Sequence, residues 1–183
     1  MIQDQGSNFL APERIIKYFD MQKGDHVADL GAGHGFFAIP MAKIVGGDGK
    51  IYAVDIQKSV LDVIRSKAKM HSLLNIEPIL GDLDHPEGLN LKNGYMDFVL
   101  ISNTLFQSEN KPSIFAKAYK LLKNGGKLAV IEWDHTAPPP LGPPYGSRIK
   151  KEEARQLASS AGFSPDREFE AGSHHYGLRF IKK

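Results

Sequence analysis

The chain has 183 residues, 42% of them hydrophobic, which is enough for one ordinary core and short for two. Its 23 basic and 21 acidic side chains nearly cancel and are spread along the sequence, so no charged block marks a nucleic-acid or membrane surface. Cysteine is absent, which excludes disulfides, thiolate metal sites and cysteine nucleophiles. The opening MIQDQGSNFL has no basic-then-apolar signal pattern, and no apolar run approaches membrane-spanning length, so a cytoplasmic protein is expected.

In chain order, Pro12 suits a first helical turn, with Ile15, Ile16 and Phe19 on one apolar face, inside a helical lead-in over 1–25. HVADLG (26–31) reads as a buried strand, and the glycine-rich turn and helix after it contain Pro40, which is expected to remove a helical hydrogen bond. KIYAVDI (50–56) is a second strand. The helix after it carries Leu61, Ile64 and Ala68 at helical spacing, with Ser59 and Asp62 placed for a capping box. IEPILGD (76–82) and MDFVLIS (96–102) are further strands. Ile114, Phe115, Ala118, Leu121 and Leu122 form a helix behind Pro112 that NGG (124–126) is expected to stop. KLAVIEWD (127–134) is the fifth strand, and Lys151 to Ala161 a last helix burying Ala154, Leu157 and Ala158. The runs 167–172 and 174–183, with a turn signal and no helix between them, predict a closing antiparallel hairpin.

Alternating strands and helices imply a mostly parallel sheet covered on both faces, an α/β three-layer sandwich in one domain. In such sheets ligands bind beyond the carboxyl ends of the strands, and the first strand-to-helix turn is the usual cradle. Here that turn is Asp29-Leu30-Gly31-Ala32-Gly33-His34-Gly35. Its glycines let the backbone come closer to a ligand than any Cβ permits. Asp55, 20 residues after Gly35, ends the second strand where a carboxylate can accept from ribose hydroxyls. A nucleoside is the expected guest, and the G-x-G-x-G spacing disfavours a nicotinamide dinucleotide, which wants its third glycine one place later.

These segments resemble the class I S-adenosylmethionine-dependent methyltransferases: the acidic residue and x-G-x-G-x-G of the first turn, AVDI as the second acidic motif, GDL (81–83) on the adenine side, MDFVLISNTLF, and LLKNGGKLAVIEW, all in the family's order. The resemblance implies a Rossmann-like, seven-stranded sheet of order 3-2-1-4-5-7-6 with strand 7 antiparallel. S-adenosylmethionine is the implied cofactor and S-adenosylhomocysteine its product. It implies that Asp29 orients the glycine loop beside the methionyl part, that Gly31, Ala32 and Gly33 line it, and that Asp55 and Ile56 hold the ribose side. Gly81, Asp82 and Leu83 are then expected at the adenine and Asn103 near the methionine moiety. Residues 26–134 would form the cofactor core. For Asp29 and Asp55 the alternative is a strand-end cap, and for Asp82 and Asn103 the ordinary preference of Asp and Asn for loop starts; the joint placement of Asp29 and Asp55 favours binding.

The acceptor side, 135–183, is expected to draw on Phe106, Asp134, His135, Tyr145, His175 and Tyr176. His135 and His175 are the candidate base or orienter, because a base serves only a hydroxyl or protonated-amine acceptor and imidazole titrates near neutrality. The prolines of 136–146 form either a preshaped lid carrying Tyr145 or a rigid linker. Trp133 packs or forms a cation-π wall. His174 and His175 alternate across a strand and cannot easily share a metal, so no metal is expected, with His135 and one of them as the remaining alternative. NTLFQSE (103–109) lacks the N-P-P-Y-type motif of nitrogen methylation in nucleic acids and proteins, which points to a small-molecule acceptor and disfavours RNA. Arsenite is rejected for want of cysteine. The C-terminal segments resemble compact methyltransferases of the quinone-biosynthesis-like branch. A non-catalytic cofactor-binding protein and a nicotinamide oxidoreductase are the competing classes, and oligomeric state stays open.

Overall fold

A computed structural model describes residues 10–137 and 142–183. Seven strands form one sheet of order β3-β2-β1-β4-β5-β7-β6: β1 His26–Leu30, β2 Lys50–Asp55, β3 Ile76–Leu80, β4 Met96–Ser102, β5 Leu122–Trp133, β6 Phe163–Glu170 and β7 His175–Lys182. The pairs among β1 to β5 are parallel, and β7 runs antiparallel to both β5 and β6. Among the described residues five α-helices accompany it: α1 Pro12–Ile15, extended by a 3-10 turn through Tyr18, α2 Ala38–Val45, α3 Lys58–Met70, α4 Lys111–Leu121 and α5 Lys151–Ser160.

Alternation along the strands sorts side chains between two cores. On one face Val27, Ile51, Ala53, Phe98 and Leu100 pack under Phe19, Met41, Leu61 and Ile64, contributed by the lead-in, α2 and α3. On the other, Ala28, Leu30, Val99, Ile101 and Val130 pack under Phe115 and Ala118 of α4 and Ala154 and Ala158 of α5. The central strands are buried on both faces, which is why they read as near-continuous apolar runs. Leu157 is only partly buried. Among the described residues no helix is long and apolar enough to cross a membrane.

Several local expectations change. Pro40 is the third residue of α2, because the glycine turn runs on to Phe37 before the helix starts. Its neighbours Ile39 and Met41 donate to Gly35 O and Phe37 O, four residues back, at 3.2 and 3.0 Å, so the expected loss of one bond, the one Phe36 O would accept, stands even in this first turn. The capping box of Ser59 and Asp62 does not form: α3 starts two residues earlier, at Lys58 behind Gln57, with no side-chain cap, and Asp62 pairs with Arg65 instead. The Asn-Gly-Gly run does not end α4, which stops at Leu121. It lies within β5, where Gly125 at φ 79° accompanies the register shift against β4 between Met96 and Phe98. The strand β6 begins at Phe163, four residues ahead of the predicted run, and β7 begins at His175. The lead-in residues 1–9 and residues 138–141 of the proline segment lie outside the described residues.

Candidate functional site

At the carboxyl end of β1 the chain crosses onto β2: the amides of Gly31 and Ala32 both donate to Val54 O, at 2.9 and 2.8 Å. Gly31 takes φ 82°, and a Cβ there would stand 2.2 Å from Thr104 Oγ1, so the turn is closed tightly against the end of β4. Gly33, at φ 49°, has nothing within 4 Å of the place a Cβ would occupy. Its amide donates to Asp55 Oδ2 at 2.9 Å while Asp55 Oδ1 accepts from Gln57 N at 2.9 Å. One carboxylate therefore ties the glycine turn to the start of α3.

A cavity of about 230 Å³ opens over these strand ends. Gly31, Asp55, Ile56, Gly81, Asp82 and Leu83 line it, together with Asp84, Thr104 and Ser108, which the sequence alone did not single out. Ile56 is 62% exposed, an apolar wall at the rim. Asp82 Oδ1 accepts from the amides of Asp84 and His85, which curls the loop after β3. Asp84 then accepts from Ser108 Oγ and from the amides of Glu109 and Asn110, so it staples that loop to the one after β4.

Asp29, Ala32, Gly33 and Asn103 are not among the lining residues. Asp29 is buried beneath the turn, and its Oδ2 has no hydrogen-bond partner. Burial, with the charge of Asp55 as a smaller cause, raises its pKa to about 7. Asn103 sits in the left-handed region at φ 53°, with its Oδ1 buried and unpartnered. His34 is exposed on the turn.

The acceptor-side candidates divide. A second cavity, of about 750 Å³, is lined by Asp134, His175 and Tyr176 together with Tyr18 and Phe169. His175 is 5% exposed, its ring centroid 4.2 Å from that of Trp133. Burial, aided by His174 and Arg148, lowers its pKa to about 4, so it is neutral at pH 7. Tyr176 follows on the opposite face of β7, and its hydroxyl is buried, donating to Ile149 O at 3.1 Å. Asp134 Oδ1 accepts from the amide and hydroxyl of Thr136. His135 is exposed, 6.3 Å, centroid to centroid, from Tyr145, and is not among the residues that line the cavity at His175. Tyr145 donates from its hydroxyl to Ala137 O, and Phe106 is half-buried in the 3-10 turn after β4. Trp133 packs between the His175 ring and the Arg148 guanidinium, and Gly142 lies so close to its ring that a Cβ would approach within 2.5 Å. Among the described residues no three His, Cys, Asp or Glu side chains group to hold a metal ion.

Sequence reasoning passed over Glu132. It is fully buried, and Oε1 accepts from the amides of Thr104 and Leu105 at 2.8 and 2.6 Å. Burial raises its pKa to about 7, against the lowering effect of those amides. The available signal was a lone carboxylate inside the apolar run of β5, which has to find donors.

A methyltransferase-domain family model matches residues 21–162. The ubiquinone/menaquinone biosynthesis C-methyltransferase of Hydrogenovibrio crunogenus is 30% identical over 180 residues, covering 89% of this chain and 68% of that protein. The corresponding protein of Neisseria meningitidis serogroup A is 31% identical over 173 residues, covering 85% and 69%. Among solved structures, a SAM-dependent methyltransferase from Aquifex aeolicus superposes with a TM-score of 0.87 at 24% identity, over 99% of this chain and 94% of that one.

Proposed function

Because the chain belongs to the methyltransferase-domain family and folds as a class I S-adenosylmethionine-dependent methyltransferase, we propose that it moves the cofactor's methyl group onto a small-molecule acceptor, with a hydroxylated aromatic ring of the quinone-precursor type as first candidate. The observation that carries the reading is the Gly33–Asp55 hydrogen bond, which brings the close-approach turn and the ribose-type carboxylate to one cleft. The choice of ring is taken from the named activity of the relatives.

The residues present fit the cofactor. Gly33 leaves open space where a side chain would stand, Ile56 offers an uncovered apolar wall to a purine, and Asp55 retains lone pairs for ribose hydroxyls. Asp29 Oδ2 and Asn103 Oδ1, both buried acceptors without a donor, suit an aminoacyl ammonium. When bound, the sulfonium supplies an already activated methyl carbon. The protein's part is then alignment and exclusion of water, which in favourable cases lowers a barrier by roughly 7–11 kcal/mol. Ring carbon as nucleophile asks for a neighbouring hydroxyl to lose its proton. His175, with its pKa near 4, is a weak base for that step, so we assign it to orienting the acceptor. His135, exposed in the segment that follows β5, is the candidate that takes the proton.

Transfer of labelled methyl from S-adenosylmethionine to a panel of catechols, hydroquinones and naphthols tests the reading. Turnover of at least one ring, weakened in His135→Ala, is expected. Binding of the cofactor with no turnover of any ring removes the aromatic acceptor, and no cofactor binding removes the function.

A further inference from the structure

The loop after β4 is held by a carboxylate that belongs to a different strand. Glu132, on β5, has no exposed surface, and its Oε1 takes both the Thr104 and the Leu105 amide. Thr104, so fixed, donates from Oγ1 to Leu30 O at 3.1 Å and lies against Gly31 with no room for another atom between them. Asn103, the residue before, is carried in the left-handed region at φ 53°, which asparagine tolerates better than most side chains and which sets the direction of its side chain. Oε2 of Glu132 has no partner, so the carboxylate's whole hydrogen-bonding role within the described residues is directed at this loop and its own strand end.

Sheet order says which part of a ligand this loop would meet. With a base over the end of β3, at Asp82, and a sugar over β2, at Asp55, the remaining arm of the molecule lies over β1 and β4, where Thr104 and Gly31 close on each other. We infer that Glu132 is a positioning residue for the aminoacyl arm of the cofactor, acting through the Thr104 and Leu105 amides to hold Asn103 and Thr104 in their binding geometry. The inference rests on the proposed function. Glu132 does not reach the arm itself: it acts from the opposite face of the sheet to Asp29, among the side chains around Tyr176.

A positioning role of this kind divides two ligands that a general loss of structure would not. S-adenosylhomocysteine carries the aminoacyl arm, and adenosine lacks it while keeping the base and sugar. Calorimetric affinities of both are compared for wild type, Glu132→Gln, which keeps a neutral acceptor oxygen, and Glu132→Leu, which leaves two amides without one. Glu132→Leu is expected to bind S-adenosylhomocysteine about tenfold or more weakly with adenosine affinity within about twofold of wild type, and Glu132→Gln to recover most of the loss. Equal loss of both ligands, or undiminished S-adenosylhomocysteine binding by Glu132→Leu, overturns the inference. Should Glu132→Leu not fold, Glu132→Gln decides it at pH 8, above the pKa of about 7 to which burial raises the carboxyl: the ratio of the two affinities falls about threefold, and an unchanged ratio overturns the assignment. A wild-type protein that binds neither ligand overturns the proposed function itself, whereas wild type that binds both with no split in the variants overturns this inference alone.

Discussion

The amide of Gly33 donates to Asp55 Oδ2 at 2.9 Å, so the side chain expected to face a ribose also holds the turn expected to face its neighbour. Removing the carboxylate therefore affects ligand and loop together. Asp55→Ala leaves the Gly33 and Gln57 amides without their acceptor. At this half-buried position the loss lowers stability by about 1–2 kcal/mol. S-adenosylhomocysteine affinity is expected to fall much further, about a hundredfold, because the direct contact and the loop placement go at once. Thermal unfolding and calorimetry on the same samples check this; affinity retained in a destabilised variant would make Asp55 a strand-end cap only.

Gly31 and Gly33 are two residues apart and predict opposite failures. Alanine at Gly31 would meet Thr104 Oγ1 at 2.2 Å on a backbone at φ 82°, so folding itself suffers, by about 2 kcal/mol or more. Alanine at Gly33 meets nothing and pays only for its left-handed φ, about 1 kcal/mol. Gly33→Ala is therefore expected to fold with a melting temperature a few degrees below wild type and to bind S-adenosylhomocysteine poorly, since its methyl fills the space left for the ligand. A Gly33→Ala protein that binds normally would put the ligand elsewhere.

The fold was legible because the central strands are buried on both faces and therefore show as unbroken apolar runs between turn residues. The glycine turn and Asp55 were legible for a related reason: their placement at strand ends is a matter of chain order. Side-chain direction was harder. The alternation used to keep His174 from His175 applies equally to His175 and Tyr176, and it sends the Tyr176 hydroxyl to Ile149 while His175 goes to Trp133. Glu132 stayed hidden because its partners are backbone amides 28 and 27 residues away, which carry no residue signature. The boundaries that moved, at Pro40, Gln57 and Leu121, each depend on where a turn releases the chain, which local residue preference fixes only loosely.

Arg148 gathers the segment that leaves β5. It is 6% exposed, donates from Nε to Pro143 O and from one terminal nitrogen to Asp134 O and Ala137 O, and lies over Tyr145 at 4.5 Å. A lysine cannot serve three diverging carbonyls or stack its head group, so Arg148→Lys is expected to lower stability by about 2 kcal/mol. Trp133 is the sole tryptophan and the Arg148 guanidinium stands 5.7 Å from its ring, so the change also shows as a red-shifted emission in the folded state. An emission spectrum and melting temperature equal to wild type would mean that the clamp does not order this segment.

Stability should vary with pH in a direction set by three buried groups. Burial raises Asp29 from 3.8 and Glu132 from 4.5, both to about 7, so between about pH 4.5 and 7 the folded chain holds two protons that the unfolded chain has lost. Their contribution to stability is full at the acid end of that window and declines as pH rises through it. His175 opposes them: lowered from 6.5 to about 4, it is neutral when folded and protonated when unfolded in between, so its contribution is lost as pH falls from about 6.5 to 4. The carboxylates held below their usual range by hydrogen bonds and cations, Asp20, Asp84, Asp134 and Glu168, act only at and below about pH 4.5. Two carboxylates against one imidazole leave stability falling with pH across the interval from about 5 to 6.5. Asp29→Asn removes one of the two, mimicking the protonated acid at every pH. It is expected to melt above wild type at pH 8, with the difference fading toward pH 4, while binding S-adenosylhomocysteine less tightly for lack of a charge to meet the ammonium. Melting curves from pH 4 to 8 decide the matter. An Asp29→Asn protein no more stable than wild type at pH 8 would show that the folded chain carries that charge at no cost, and that the unpaired oxygen already has a donor in solution.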